Sequence, residues 1–318
     1  MTAYGKPVDF SLLRAVILQA TPLALPVLAP GTIWLHSLIP LVVAYHQITL
    51  PRRPGLAALL AAVGLAGVIA LIVGALPLVL FGCLMAPLGL IIGQGIRQGH
   101  TPTWTGVKGL AYLATIWLLL GMIQGSDGGM TPYQALRHSL DQGMAAVVAQ
   151  GSKDLPAETA RELEDTLTAV RDFMAKALPG LFFSSLICTV WFNLTMSHWL
   201  LKQHRPEAAT WPDFRHWRLP ETFIWPLIGA GLSLLLPSEP LATIGLNLLL
   251  VCGLLYFMQG VAIMTALLAH WRLPPLLRGL LYALIIFQVY GIILVAGLGI
   301  ADVWLDFRQR LLARQREQ

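Results

Sequence analysis

Long apolar runs separated by short polar breaks dominate the pattern of this chain. The runs do not alternate apolar and polar residues as β-barrel strands do, and several reach the ~20 residues that a helix needs to cross a bilayer. The pattern therefore predicts an all-α, polytopic membrane helical bundle with eight to nine spans. The predicted apolar stretches are residues 10–30, 32–48, 55–76, 78–96, 107–124, 181–201, 223–236, 241–271 and 280–300.

One polar segment interrupts these runs. Residues 126–176 carry five basic and eight acidic residues, and their apolar positions recur at helical spacing, as at Leu136, Leu140 and Met144. This spacing predicts an extramembrane insertion of two amphipathic helices. The predicted organisation is N-terminal membrane helices (1–124), an extracytoplasmic helical insertion (125–178), C-terminal membrane helices (179–302) and an amphipathic tail (303–318).

Composition and charge agree with a membrane protein. The chain has 318 residues, of which 56% are hydrophobic and 12% charged, whereas soluble domains average about 25% charged residues. Short loops rich in Lys and Arg stay cytoplasmic, which places residues 52–53, 97–108 and 202–218 inside and the insertion outside. We expect a multi-pass membrane protein. The side of the C-terminal tail stays open, because residues 223–236 are short enough to be re-entrant.

None of the sixteen acidic residues lies inside a predicted apolar run. A carboxylate within the membrane is the usual group for proton or cation coupling, so the chain is expected to lack a coupling group of its own. Asp302 and Asp306 follow the last run. We interpret them as part of a solvated, capped tail in which Asp306 pairs with Arg310, although they are also the acids closest to the membrane interior.

Neutral polar residues recur within the predicted spans. Four of them are spaced every four residues in one span: Ser185, Thr189, Asn193 and Ser197. A polar stripe in lipid must face other helices or a water-filled cavity. Interhelical hydrogen bonding is the simpler interpretation, and a ligand site is the alternative, because amide groups both donate and accept. Residues of the later spans that could converge on the same interior are Asn247, Tyr256, Gln259 and Gln288.

Motifs of catalysis and of metal binding are missing from the sequence. The cysteines, Cys83, Cys188 and Cys252, lie within apolar runs without metal-site or disulfide spacing. The histidines show no ligand spacing, and no nucleophile elbow, phosphate loop or dinucleotide fingerprint occurs. We therefore predict no enzymatic activity, no metal, no cofactor and no nucleic-acid partner.

Three C-terminal segments carry a family resemblance: Trp217-Arg218-Leu219-Pro220, Phe257-Met258-Gln259-Gly260, and residues 297–308 with Asp302, Asp306 and Arg308. With Asn247, they make residues 178–310 resemble the YybS-like family of bacterial polytopic membrane proteins, which carry a domain of unknown function. That family is distantly similar to substrate-capture subunits of energy-coupling-factor transporters and to the MreD-like proteins of cell-shape complexes. The resemblance implies a location in the bacterial cytoplasmic (inner) membrane and partner subunits, one of them an ATPase in the transporter case.

Two functions follow as hypotheses. In the first, the protein binds a small polar or amphiphilic molecule for transport with partner subunits. Its ligand contacts would be Asn193, Asn247, Tyr256, Gln259 and Gln288. In the second, it is a non-catalytic scaffold of a cell-envelope or cell-shape complex, with residues 202–218 and the external helices as docking surfaces. Membrane lipid is a partner in both, and the ligand, the transport direction and the oligomeric state stay open.

Overall fold

The computed structural model describes residues 10–126, 129–151, 156–271 and 273–307, and within these ranges the chain is helical without any strand. The α-helices are α1 Phe10–Leu28, α2 Ile39–Thr49, α3 Arg52–Val73, α4 Leu76–Cys83, α5 Ala86–Arg97, α6 Pro102–Ser126, α7 Pro132–Gly151, α8 Ala157–His204, α9 Ile224–Leu235, α10 Glu239–His270, α11 Pro275–Phe287 and α12 Val289–Leu305. The all-α prediction is confirmed.

Proline and glycine set many of the helix boundaries. Proline lies in the first turn of α4, α5, α10 and α11, where its missing N–H costs no helical hydrogen bond. α3 ends at Gly74, whose φ of 78° and ψ of 20° form a left-handed C-cap that glycine adopts without steric cost. The breaks between apolar runs are therefore helix ends, as the sequence predicts.

Six helical segments of the described ranges are long and apolar enough to cross a membrane, or seven if the bent pair α11–α12 forms one span. The prediction of eight to nine spans is not confirmed. Residues 32–48 do not form one helix, because a 3-10 helix, Pro30–Leu38, precedes the short α2. The 12-residue α9 is about 18 Å long, shorter than the ~30 Å hydrocarbon core.

The polar insertion continues directly into a membrane helix. Two separate amphipathic helices were expected before a span at residues 181–201, but α8 is one helix of 48 residues with Pro179 inside it. Its first part is the second helix of the insertion, and α7 is the first. Between them, Arg171 lies 4.0 Å from Asp141, and the hydroxyl of Tyr133 donates to the carbonyl of Ala175 at 3.1 Å.

The chain forms two compact units, each made of two separate stretches. Unit 1 is Met1–Leu119 with Leu186–Trp211, and unit 2 is Leu120–Ser185 with Pro212–Gln318. The four-segment organisation predicted from the sequence is a different division and stays a prediction. α8 contributes its first part to unit 2 and its last part to unit 1.

In unit 1, α1 packs on α3 and α2 packs on α5. The G-x-x-x-G spacing of Gly89 and Gly93, which predicts close packing, lies at the second contact. A Cβ atom on Gly89 would come within 2.5 Å of the Pro40 carbonyl, and one on Gly93 would lie 3.1 Å from the Cβ of Gln47. The glycines therefore let the α5 and α2 backbones approach.

In unit 2, α10 packs against both α9 and α12. Gly245 meets α9, since a Cβ there would lie 2.8 Å from the Ala230 carbonyl. Gly260 and Gly299 lie where α10 crosses α12: a Cβ on Gly260 would overlap the Val295 carbonyl, and one on Gly299 would overlap the Tyr256 carbonyl. Residues 308–318, the greater part of the predicted amphipathic tail, lie outside the described ranges, and so does Arg310.

Candidate functional site

Asn247 bonds the backbone of α8 beside Pro179. A proline inside a helix lacks the N–H that would bond the carbonyl four residues earlier, and at Pro179 that carbonyl, on Ala175, accepts from Tyr133 instead. One residue further on, the Asn247 Oδ1 accepts from the N–H of Gly180, and its Nδ2 donates to the carbonyl of Lys176 at 2.8 Å. The amide therefore bridges the two backbone groups that a regular helix would join directly.

Two further contacts lie around this amide, one within α10 and one between α10 and α8. Nδ2 of Asn247 also donates to the carbonyl of Thr243 at 2.7 Å, and the ammonium of Lys176 donates to the carboxylate of Glu239 at 2.8 Å. Both amide hydrogens and the amide oxygen of Asn247 are thus engaged by the protein. The side chain acts as a clamp between α10 and α8, which is the simpler of the two interpretations that its amide group permits.

We expect Asn247→Ala to lower the free energy of unfolding of unit 2 by roughly 2 kcal/mol, because it leaves the Gly180 N–H and the Lys176 carbonyl without their bridge. In a Pro179→Ala background the loss should shrink, since an unbroken helix joins these groups itself. A double-mutant cycle in mixed micelles measures the difference. Ser233→Ala is the matched control, because among the described residues its hydroxyl bonds the Gly229 carbonyl of its own helix alone. Equal losses in both backgrounds would contradict the bridging role.

Gln259 is the centre of a second set of contacts in unit 2. Its side chain is 1% exposed. Oε1 accepts from the N–H of Leu219 at 3.0 Å, and Nε2 donates to the carbonyl of Gly299 at 3.1 Å and to Oδ2 of Asp302 at 3.4 Å. One amide side chain on α10 therefore joins the loop before α9 to the end of α12.

Asp302 is a buried acid within the last helix. It is 1% exposed, and its Oδ1 accepts from the N–H of Phe307 at 3.0 Å. The helix ends at Leu305, and its C-cap residue Asp306 has φ 44° and ψ 53°. The expectation of a solvated Asp302 is therefore wrong, because α12 extends beyond residue 300 and folds its end over this carboxylate. The Asp306–Arg310 pair lies outside the described residues.

Arg218 forms an ion pair with Asp306 at the same end of α12. We name Arg218, Gln259, Asp302 and Asp306 the C-terminal polar cluster. Nη1 of Arg218 lies 2.8 Å from Oδ1 of Asp306, and Nη2 lies 3.6 Å from Oε1 of Glu221. The cluster brings together the three sequence segments that carry the family resemblance. Charge and hydrogen-bond complementarity, in addition to apolar packing, therefore joins these distant segments.

The remaining predicted ligand residues of unit 2 are placed differently. Tyr256 is fully buried beside Phe223, with ring centroids 6.3 Å apart, and its hydroxyl has no hydrogen-bond partner within the described part of the chain. Gln288 is exposed at the junction of α11 and α12. The structure does not bring Gln288 into the C-terminal polar cluster.

Asn193 belongs to unit 1, so its predicted convergence with the unit 2 residues stays a prediction. It is fully buried on α8, and its Nδ2 donates to the carbonyls of Ser37 at 3.0 Å and Thr189 at 2.8 Å. Its Oδ1 has no partner among the residues that the structure describes. Ser197, one turn later, is likewise buried with an unpartnered hydroxyl in the same ranges.

Two further polar residues of unit 1, His36 and Gln19, are buried. His36 precedes Ser37 and packs against α4, where a Cβ on Gly82 would lie 3.1 Å from His36 Nε2 and 3.0 Å from Leu23 Cδ2. Gln19 is one turn before Leu23 on α1. Gln19 Oε1 and both ring nitrogens of His36 lack partners among the described residues. We name Gln19, His36, Asn193 and Ser197 the unit 1 polar cluster.

The predicted polar stripe is only partly in this cluster. A spacing of four residues drifts about 40° around a helix at each step, so Ser185 is exposed whereas Asn193 and Ser197 are buried. Gln19 and His36 were not among the predicted ligand residues, because the polar residues of their apolar stretches show no periodic signal. Within the described ranges, no three His, Cys, Asp or Glu side chains are grouped as a metal site requires.

These features define a helical, multi-pass membrane protein whose polar residues are gathered into buried clusters. The chain matches the family of predicted membrane proteins DUF2232 over residues 14–303 and belongs to that family. No curated protein and no solved structure matches the chain.

Proposed function

We propose that this membrane protein binds a small polar molecule at the unit 1 polar cluster and serves transport together with partner subunits. The observation that carries the proposal is the set of buried, unpartnered polar atoms on Gln19, His36 and Asn193. Buried polar groups are nearly always hydrogen-bonded in proteins. A bound molecule with several hydrogen-bond donors would satisfy these groups.

The charge of the surroundings selects the ligand class. Glu207 is the only acidic residue among residues 10–119 and 186–211, and it lies 3.7 Å from Arg205, so these residues offer a cationic ligand no other carboxylate. The amide and hydroxyl oxygens of the cluster accept hydrogen bonds, and a neutral imidazole offers one donor and one acceptor. We infer a neutral molecule with hydroxyl or amide groups.

This proposal includes the ligand residues, the location and the partner that the sequence analysis predicts. Asn247 and Gln259 would have to exchange existing hydrogen bonds to contact a ligand, so we assign the leading role to Asn193. The bacterial inner-membrane location, the non-enzymatic role and the ATPase partner are also proposed. They are supported by the absence of catalytic motifs and by the resemblance to the YybS-like family, and hence to substrate-capture subunits and MreD-like proteins.

Gln19→Met tests the ligand site. Met keeps the volume of Gln19 but removes its unpartnered oxygen, so the free energy of unfolding without ligand should stay the same or rise by about 1 kcal/mol. The Gln19→Met variant should retain less of the bound molecule than the wild type. Native mass spectrometry of protein purified from native membranes measures whether a non-lipid small molecule remains bound to the wild type and leaves the variant.

Thr115→Val is the matched control for this experiment. Thr115 is an exposed polar residue of the same unit whose hydroxyl bonds only its own helix, at Ala111. The control should keep the adduct of the wild type. Retention of the same molecule by Gln19→Met, or its absence from the wild type, would sink the proposal.

A scaffold role is the second candidate, and it is favoured by a different observation. The amide groups of Asn247 and Gln259 are engaged by the protein itself, as expected where polar residues join helices. Affinity purification from native membranes separates the two roles. Recovery of an ATPase supports transport, whereas recovery of envelope-assembly proteins without an ATPase supports the scaffold.

A further inference from the structure

The exposed face of α6 in unit 1 has a cation close to its start. The exposed residues Trp104, Lys108, Ala111, Thr115 and Leu118 follow one another at helical spacing. The opposite face is buried, since a Cβ on Gly109 would lie 2.6 Å from the Leu88 side chain. Lys108 therefore projects from a face that is apolar beyond it, about one turn after an exposed tryptophan.

The ammonium group of Lys108 lies close to one indole ring and one imidazole ring. Nζ of Lys108 lies 5.3 Å from the ring centroid of Trp104 and 3.5 Å from Nδ1 of His100. The imidazole contact is at the limit of a hydrogen bond, and an ammonium group has three donors. The ammonium of Lys108 can thus donate to a stronger acceptor without losing a strong hydrogen bond.

Two hydrogen bonds fix the backbone around His100 and Trp104. The indole N–H of the buried Trp211 donates to the carbonyl of His100 at 2.7 Å. Thr101 caps the start of α6 by accepting from the N–H of Trp104 at 3.2 Å. His100, Trp104 and Lys108 are therefore held near one another by a tied loop and a capped helix.

The charge balance of unit 1 favours an anion. Its described residues contain seven Lys or Arg, namely Arg14, Arg52, Arg53, Arg97, Lys108, Lys202 and Arg205. The single acid there, Glu207, lies 3.7 Å from Arg205. No carboxylate of the described part of unit 1 is left to neutralise Lys108.

We propose that Lys108, His100 and Trp104 bind the phosphate of an anionic phospholipid whose acyl chains lie along the exposed face of α6. The ammonium would donate to the phosphate, and the indole would lie at headgroup level, where tryptophan is enriched. A zwitterionic lipid fits less well, because its own cation would meet a positive surface without a carboxylate. The apolar face beyond Lys108 favours a lipid over free phosphate.

The test uses the full-length protein, delipidated in non-ionic detergent and titrated with phosphatidylglycerol, phosphatidylcholine or inorganic phosphate by native mass spectrometry. We expect preferential binding of phosphatidylglycerol. Lys108→Gln should raise its dissociation constant about fivefold, the effect of one basic residue near an anionic lipid surface. Lys108→Arg should keep the wild-type affinity. Lys108 is exposed, and a thermal unfolding curve verifies that each variant is folded.

Arg161→Gln is the matched control. It removes the same charge from an exposed position in the insertion, beside Glu158, Glu162 and Glu164, and it should leave lipid binding unchanged. Equal binding of the two lipids, wild-type affinity in Lys108→Gln, or an equal loss in Arg161→Gln would overturn the proposal. Displacement of the lipid by submillimolar inorganic phosphate would overturn the lipid as the occupant. This experiment does not test ligand binding at the unit 1 polar cluster, because α6 contributes no residue to that cluster.

Discussion

Gly299→Ala is expected to destabilise unit 2 by about 3 kcal/mol, at the upper end of the usual cost of overpacking. The added Cβ would overlap the carbonyl oxygen of Tyr256 and lie 2.9 Å from the backbone nitrogen of Gly260. Backbone atoms cannot turn away as a side chain can, so α12 would have to move off α10. Unfolding in mixed micelles, followed by far-UV circular dichroism, measures the loss.

Gly260→Ala should have an effect of similar size, because its Cβ would overlap the Val295 carbonyl on the facing helix. Gly297→Ala is the matched control. It lies on α12 two residues before Gly299 and has no atom within 4 Å of the added Cβ. We expect a change within about 0.5 kcal/mol for the control. Equal losses at Gly297 and Gly299 would contradict a special role for the crossing of α10 and α12, because helix propensity alone favours alanine over glycine at both positions.

The helical class and many helix ends could be predicted from the sequence, because proline, glycine and apolar run length act locally. The number of spans could not. Hydropathy measures how apolar a stretch is, and residues 32–48 are apolar enough to be a span. The structure instead has the 3-10 helix Pro30–Leu38 and the short α2 there, a difference of backbone geometry that hydropathy does not report.

The candidate sites show a similar limit. Asn193, Asn247 and Gln259 could be selected from the sequence, because an amide within an apolar stretch must find partners. Which partners they find depends on the tertiary structure. Asn247 meets the α8 backbone beside Pro179, and Gln259 meets the buried carboxylate of Asp302. Gln19 and His36 had no signal in the sequence that separates them from isolated polar residues.

The apolar runs contain no acidic residue, but the last helix of the structure does. The last run ends at residue 300 by hydropathy, yet α12 continues to Leu305 and includes Asp302. This buried acid accepts from Phe307 and Gln259, so it is tied into the end of a helix. Its contacts are those of a structural group that joins segments.

Asp302→Ala should therefore lower the free energy of unfolding of unit 2 by about 3 kcal/mol, because the Phe307 N–H and the Gln259 amide both lose this acceptor. Asp302→Asn should recover only part of the loss. Its oxygen can still accept from Phe307, but its amide N–H groups would face the donating Nε2 of Gln259. The same micelle unfolding titration measures both variants.

Asp306→Gly separates this effect from a general loss of negative charge at the helix end. The exposed pair with Arg218 contributes less than about 1 kcal/mol, and glycine suits the φ of 44° at this position. The glycine variant should thus be almost as stable as the wild type. If Asp302→Ala were as mild as Asp306→Gly, the carboxylate would not hold the end of α12, and the C-terminal polar cluster would be joined by Arg218 and Gln259 alone.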